Sequence, residues 1–203
     1  MSDCGCEIEA GNREQRNVLL LLLLINAVMF GVELVLGIVA QSTGLIADSM
    51  DMLADAMVYA VSLYAVGRAL HHKIRAAHLS GILQCLLGLM VMFDVVRRAV
   101  VGSEPDSMLM IYVGLLALAA NAVCLLLISK HRKGEIHMRA SWIFSRNDLI
   151  ANVGVIAGGL LVGLFASPIP DLLIGSIISF IVVKGGISII RDANIEQESS
   201  VSH

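Results

Sequence analysis

The chain has 203 residues, of which 57% are hydrophobic and only 15% are charged, and its formal net charge is −3. A soluble domain would carry about 25% charged residues, so this composition argues against a soluble globular protein. No basic patch interleaved with aromatic residues indicates binding to nucleic acid.

Residues 1–16 are polar and are predicted to form a cytoplasmic N-terminal tail. They contain the stretch "DCGCE", in which Cys4 and Cys6 are separated by one glycine. Such a pair is able to capture a soft metal ion, but a CxC motif alone is weak support for a metal site. We therefore interpret the tail as inert and keep metal capture as the alternative.

Six apolar blocks follow the tail, and each is long enough to cross a bilayer, which takes about 20 residues. Backbone groups in lipid must be satisfied within the segment, so each block is predicted to be a helix. The blocks are 17–40, 44–67, 76–100, 108–129, 139–164 and 170–191. The sequence thus predicts an all-α membrane protein with one six-helix transmembrane domain at 17–191. The polar residues 192–203 are predicted to be a short, disordered cytoplasmic tail.

The distribution of basic residues predicts the orientation of the domain. Most of them precede the first span, follow the sixth, or lie in the second and fourth loops, which all fall on one side. The opposite side has only Arg97 and Arg98, near the end of the third span. By the positive-inside rule, both termini are cytoplasmic. We expect a multi-pass protein of a bacterial inner membrane.

The second span contains an acidic stretch, "GLIADSMDMLADA", with Asp48, Asp51 and Asp55. Asp51 and Asp55 are four residues apart, so they lie on one face with Cβ atoms about 5–6 Å apart. A charge in the middle of a bilayer costs at least ~2.5 kcal/mol, and such residues are candidates for function. The two carboxylates also repel each other. A proton or a divalent cation would relieve that repulsion.

Other spans add polar residues to this acidic pair. The first span carries Asn26 and Glu33, and the fifth carries "SRNDLIAN", in which Asp148 and Asn152 share a face. Each has a structural alternative: asparagines often join helices by hydrogen bonds, and Glu33 is able to pair with a neighbour. Asp48 lies near the end of its span, so contact with water is an alternative explanation for a charged residue at this position.

Three stretches together resemble the cation diffusion facilitator (cation efflux) family. These are "INAVMFGVELVLGIVAQSTG", "STGLIADSMDMLADA" and "MRASWIFSRNDLIANVGVI", which resemble the first, second and fifth helices of that family. The resemblance implies a divalent-metal/proton antiporter, not an enzyme, with the transported ion as its only bound metal. It implies a site made from an (H/D)xxxD pair in helix two and an HxxxD pair in helix five. Carried over, these positions give Asp51, Asp55 and Asp148 as metal ligands.

The sequence departs from the family pattern in three respects. Phe144 occupies the position of the helix-five histidine, so the fourth ligand is open among Asn152, Asn147 and Ser145, in that order of preference. Asp48, Glu33 and Asn26 are candidate accessory residues. An all-oxygen site suits harder ions such as Mn²⁺, whereas imidazole favours Zn²⁺. The family's usual C-terminal metal-sensing domain does not follow the sixth span, although the resemblance allows a homodimer.

The sequence therefore predicts an exporter of Zn²⁺ or a related ion (Cd²⁺, Co²⁺, Mn²⁺ or Fe²⁺) in exchange for protons, with the lipid bilayer as its surroundings. Two alternatives stay open. One is a membrane regulator or partner that kept the fold without transport, which the departure at Phe144 favours. The other is an intramembrane aspartyl hydrolase that uses Asp55 and Asp148, because such enzymes need two carboxyls that share a proton.

Overall fold

The computed structural model describes the backbone of residues 4–65, 70–129 and 136–201. The side chains of 4–12, 136–147 and a few further positions are outside this description. Six helices account for nearly all of the described backbone: α1 (Cys4–Val39), α2 (Thr43–Ala65), α3 (Leu70–Val101), α4 (Ser107–Ser129), α5 (Ile136–Phe165) and α6 (Ile169–Val201). The prediction of an all-α fold is confirmed over these ranges.

Five of the helices contain a segment long and apolar enough to cross a membrane. The segments are Arg16–Val39, Ala77–Val101, Ser107–Ser129, Asp148–Phe165 and Ile169–Ile195. The remaining helix, α2, has 23 residues but carries three aspartates, which explains why its composition alone does not mark it as a span. The chain is thus a multi-pass membrane protein. The sixth span and the cytoplasmic position of the termini stay predictions.

Both ends of the chain are more helical than the sequence predicted. Helix α6 continues to Val201, whereas residues 192–203 were expected to be disordered. No glycine or proline follows Gly186, so nothing after the span interrupts the helix. At the other end, α1 begins at Cys4, so much of the expected tail at 1–16 has helical backbone.

Helix α2 lies at the centre of the bundle, where it contacts each of the other five helices. The longest pairings run between α3 and α6, between α1 and α2, and between α4 and α5. Small residues allow α3 and α6 to approach closely, as in many membrane helix pairs. The Ser179 hydroxyl donates to the Gly88 carbonyl at 2.6 Å, and a Cβ at Gly81 would lie 2.8 Å from the Gly186 carbonyl oxygen.

Apolar side chains cover the outside of this bundle, and its interior holds buried polar side chains beside an apolar core. Large hydrophobic residues such as Leu24, Phe93 and Leu164 are more than half exposed, as expected for side chains that face lipid. Glu33 and Asp48, by contrast, are 0% and 1% exposed. Intramembrane ionisable residues commonly face the bundle interior, and α2, which contacts all five other helices, places Asp48 and Asp55 there.

The turn between α1 and α2 is held by residues from three other parts of the chain. Gln41 adopts a left-handed backbone with φ of 51°, and its carbonyl accepts a hydrogen bond from Arg98 of α3. The Asp106 nitrogen, just before α4, donates to the Ala40 carbonyl at 2.9 Å. Asp171 of α6 accepts hydrogen bonds from the residues that follow Gln41. These contacts fix the start of the acidic helix.

Candidate functional site

The start of α2 sets the register of its three aspartates. Ser42 is the N-cap: its hydroxyl accepts from the Leu45 nitrogen at 3.1 Å, which satisfies one of the free amides of the first turn. Counting from this cap, Asp48 and Asp55 are turned into the bundle and are 1% and 4% exposed. Asp51 is less enclosed and keeps a partly exposed side chain.

Asp55 and Asp148 form the first of two carboxyl pairs, which we call the mid-bundle pair. Their carboxyl groups lie within hydrogen-bonding reach of each other across α2 and α5. The Tyr59 hydroxyl, one turn along α2, lies 3.5 Å from Asp55 Oδ2 and donates to it. Asp51 lies within electrostatic reach of both members of the pair. Folding thus brings together the three carboxylates that the sequence predicted as ligands.

Glu33 of α1 and Asp48 of α2 form the second pair, which we call the turn-end pair. Their carboxyl groups are neighbours, at a level nearer the α1–α2 turn. Asn152 of α5 connects this pair to the helix that carries Asp148. Its amide nitrogen donates to Asp48 Oδ1 at 3.4 Å and to the backbone carbonyl of Asp148, one turn earlier on α5, at 2.6 Å.

Several buried atoms of these residues have no hydrogen-bond partner among the described residues. They are both carboxylate oxygens of Glu33, Asp48 Oδ2 and the amide oxygens of Asn26 and Asn152. Most buried polar groups in proteins are hydrogen-bonded, so a group of five unpartnered oxygens is unusual. All five accept hydrogen bonds or bind cations, and none is a donor. These five oxygens therefore favour a cation or a proton beside them.

The carboxylates are arranged in pairs and not in one closed shell. Within the described ranges, no group of three or more His, Cys, Asp or Glu side chains is arranged to hold a metal ion. The predicted ligand set of Asp51, Asp55, Asp148 and Asn152 therefore stays a prediction.

Several predicted residues fall on positions whose side chains the structure does not describe. Phe144, Asn147 and Ser145 belong to the first half of α5, where only the backbone helix is described. Arg146, a basic neighbour of Asp148 in sequence, lies in the same stretch. Cys4 and Cys6 also lie outside the described side chains, so metal capture by the N-terminal pair stays open.

Asn26 and Asp94 each have a structural partner. Asn26 donates to the Leu22 carbonyl at 2.9 Å and contacts the Cys124 sulfur at 3.8 Å. Near the turn end, Asp94 forms ion pairs with Arg97 at 2.6 Å and with Arg98 at 2.7 Å. Asp94 therefore helps to orient Arg98 against the α1–α2 turn, and this explains its place near the end of a span.

Two residues near the site were not identified from the sequence. Tyr59 is four residues after Asp55, and this spacing on one helix face is a signal that was available. Asp171 follows the "SPIP" stretch and is 0% exposed. Its position at the start of a helix was visible in the sequence. Its partners at the start of α2 were not, because they lie about 130 residues away.

Comparison with known protein families identifies the family to which this chain belongs. Residues 19–194 match the model of the cation efflux transmembrane domain, a stretch that includes both carboxyl pairs. The chain belongs to the cation efflux family. Comparison with curated proteins finds no match.

Membership identifies the general activity of this cation efflux protein. Proteins of this family are transporters and not enzymes, so the chain is assigned to metal cation efflux and not to hydrolysis. The resemblance noted in the first, second and fifth helices is confirmed. The hypothesis of an aspartyl hydrolase loses its support, although Asp55 and Asp148 do lie together.

Proposed function

We propose that this cation efflux protein exports a divalent metal ion from the cytoplasm across the inner membrane in exchange for protons. Asp51, Asp55 and Asp148 would bind the ion, with Asn152 as the preferred fourth ligand. The observation that carries the proposal is the contact between Asp55 and Asp148 inside a family-matched bundle. Two buried carboxyls in contact favour a cation or a proton between them.

The mid-bundle pair supports exchange because the two guests compete for the same oxygens. When the metal ion is bound, the carboxylates are ionised and the charge of the ion compensates them. When the ion leaves, protons neutralise the same groups. The metal-free protein is then able to reorient toward the cytoplasm without exposing charged carboxylates to the hydrocarbon. Reorientation needs a relative movement of helices. The ion exchange itself needs no nucleotide, and the sequence has no phosphate-binding glycine motif.

The donor set supports a preference among ions. The described candidates offer carboxylate and amide oxygens, and oxygen donors suit Mn²⁺ better than imidazole or thiolate would. Zinc sites in proteins commonly include nitrogen or sulfur ligands. We therefore propose Mn²⁺ and Fe²⁺ as substrates alongside Zn²⁺, Cd²⁺ and Co²⁺, with less discrimination between them than a histidine-containing site would give.

Flux in proteoliposomes tests the proposal. The purified full chain is reconstituted with a metal-sensitive dye and a pH-sensitive dye in the lumen, and each of the five ions is added outside in turn. We expect metal entry with a simultaneous rise in lumenal pH, as protons leave. Asp148→Asn and Asp51→Asn are expected to abolish both signals, because they remove charge and keep shape. Glu104→Gln is the matched control, since Glu104 is exposed in the α3–α4 loop.

The outcomes separate the alternatives. Metal entry without any change in pH would contradict proton exchange but keep export. Absence of flux for all five ions, with folded wild-type protein, would favour the non-transporting regulator. Wild-type flux in Asp148→Asn would contradict the assignment of the site.

A further inference from the structure

The turn-end pair leaves more oxygen atoms without partners than the mid-bundle pair. Glu33 is fully buried, and neither of its carboxylate oxygens has a hydrogen-bond partner among the described residues. The neighbouring Asp48 is 1% exposed and leaves Oδ2 unpartnered. A buried carboxylate without a partner loses its hydration and gains nothing in return. A shared proton or a bound cation is needed to compensate this pair.

A third side chain completes the same group. Asn152 is 0% exposed, and its amide nitrogen is engaged by Asp48 and by the Asp148 carbonyl. With the nitrogen so held, the amide oxygen is left without a partner beside the pair. Three helices, α1, α2 and α5, thus contribute oxygen atoms to one place. Carboxylate and amide oxygens are the ligands typical of hard divalent cations.

This group lies at a different depth from the mid-bundle pair. Glu33 is six residues before the end of α1, and Asp48 is five residues after the start of α2. At 1.5 Å per residue, both lie about 8–9 Å from the α1–α2 turn. Asp55 is twelve residues after the start of α2, which places it about 18 Å from the turn. The two pairs therefore form successive levels along the same bundle.

We infer that Glu33, Asp48 and the Asn152 amide oxygen form a second divalent-cation site, through which the exported ion passes after it leaves the mid-bundle pair. The inference rests on the proposed function, because it names a further station on the same route. Asn152 donates to Asp48 Oδ1 and to the backbone carbonyl of Asp148 one turn earlier on α5, so it links the turn-end pair to the helix that carries Asp148. An ion that moves toward the α1–α2 turn exchanges the carboxylates of the mid-bundle pair for those of the turn-end pair, so it stays in contact with oxygen ligands.

Equilibrium binding of Mn²⁺ to the purified full chain in detergent tests the second site. Bound Mn²⁺ is distinguished from free Mn²⁺ by its electron paramagnetic resonance signal, and Zn²⁺ is titrated in parallel. The decisive background is Asp55→Asn with Asp148→Asn, which removes the mid-bundle pair. We expect this double variant to keep binding one ion. Adding Glu33→Gln is expected to weaken that binding at least tenfold, whereas adding Glu104→Gln leaves it unchanged.

Asp48→Asn in the same background is a second variant with the same expected loss, in case Glu33→Gln fails to fold. Each variant is accepted only if it elutes as a single species with wild-type helix content. If the double variant binds neither ion while the wild type binds one, the second site is refuted and the proposed function stands. Unchanged binding after both Glu33→Gln and Asp48→Asn also refutes it. If the wild type binds neither ion, the proposed function fails together with the inference.

Discussion

Asp171 accepts two hydrogen bonds from Thr43, one from its backbone nitrogen and one from its hydroxyl, each at 2.7 Å. The Ser42 hydroxyl and the Gly44 nitrogen donate to the other carboxylate oxygen at 2.6 and 2.9 Å. One carboxylate of α6 thus satisfies free donors at the start of α2, where the helix dipole also favours negative charge. This contact joins α6 to the helix that carries the three predicted aspartates.

Asp171→Asn is expected to destabilise the bundle. The amide keeps the size of the carboxylate but has one acceptor oxygen in place of two, and its NH₂ group faces donors. Unsatisfied buried donors cost about 1–3 kcal/mol each, so we expect the free energy of unfolding to fall by about 2–4 kcal/mol. Thermal unfolding of the purified protein measures the change. Asp192→Asn is the matched control, because Asp192 is exposed on the same helix. Equal melting temperatures for the two variants would contradict the role of Asp171.

The same junction requires a very close approach of the two backbones. A Cβ added at Gly175 would lie 3.0 Å from the Thr43 carbonyl carbon and 3.1 Å from its oxygen. Backbone atoms held by Asp171 have little freedom to move away.

Gly175→Ala is therefore expected to lower the free energy of unfolding by about 1–3 kcal/mol, as overpacking does. In contrast, Gly31→Ala meets nothing within 4 Å and is expected to be neutral or stabilising, since alanine favours a helix. The same thermal unfolding experiment compares both. A Gly175→Ala variant as stable as Gly31→Ala would show that α6 is able to shift away from α2.

The fold was largely predictable because it follows from local patterns. Runs of apolar residues locate the helices to within a few residues in the spans, and the bend at "SPIP" separates α5 from α6. The spacing of Asp51 and Asp55 along α2 was also predictable, since helical periodicity places them one turn apart. What could not be predicted is contact between distant segments, such as Asp171 with Thr43, because sequence spacing does not show which helix ends meet.

The pairing of carboxylates shows a second limit of sequence reasoning. Sequence places Glu33 and Asp48 on their helices but not at relative depths, so it predicts both only as accessory residues of a single site. Only the packed bundle shows that they form a level of their own beside Asn152. After residue 191 the polar composition predicts a disordered tail, whereas α6 continues to Val201.

The N-terminal cysteines give a prediction about the tail. If "CGCE" is inert, removal of residues 1–10 leaves the flux and the ion preference unchanged, because the matched transmembrane domain begins only at residue 19. Proteoliposome flux at a series of metal concentrations measures this. Cys4→Ser with Cys6→Ser is the gentler companion variant, since it keeps the length of α1. A large rise in the concentration needed for half-maximal flux would show that the cysteines collect metal.

The last prediction concerns Phe144, which occupies the position where the family pattern has a histidine. Residue 144 lies in the helical backbone of α5, four residues before Asp148. Positions four residues apart share a helix face, and Asp148 is turned toward Asp55 of α2. A histidine at 144 would thus add a nitrogen one turn from the mid-bundle pair. Because imidazole favours Zn²⁺ over Mn²⁺, we expect Phe144→His to raise the ratio of Zn²⁺ to Mn²⁺ flux when both ions are present.

The matched control for this change is Phe144→Leu, which alters the packing of the aromatic ring without adding a ligand. If Phe144→Leu shifts the ratio as much as Phe144→His does, the effect comes from packing and not from coordination. If Phe144→His is folded and active with an unchanged ratio, residue 144 does not face the site. Asp148 would then be the only residue of this face of α5 at the metal site. Asn152, one turn further along the same helix, would no longer be supported as the fourth ligand. Its hydrogen bond with Asp48 would be unaffected.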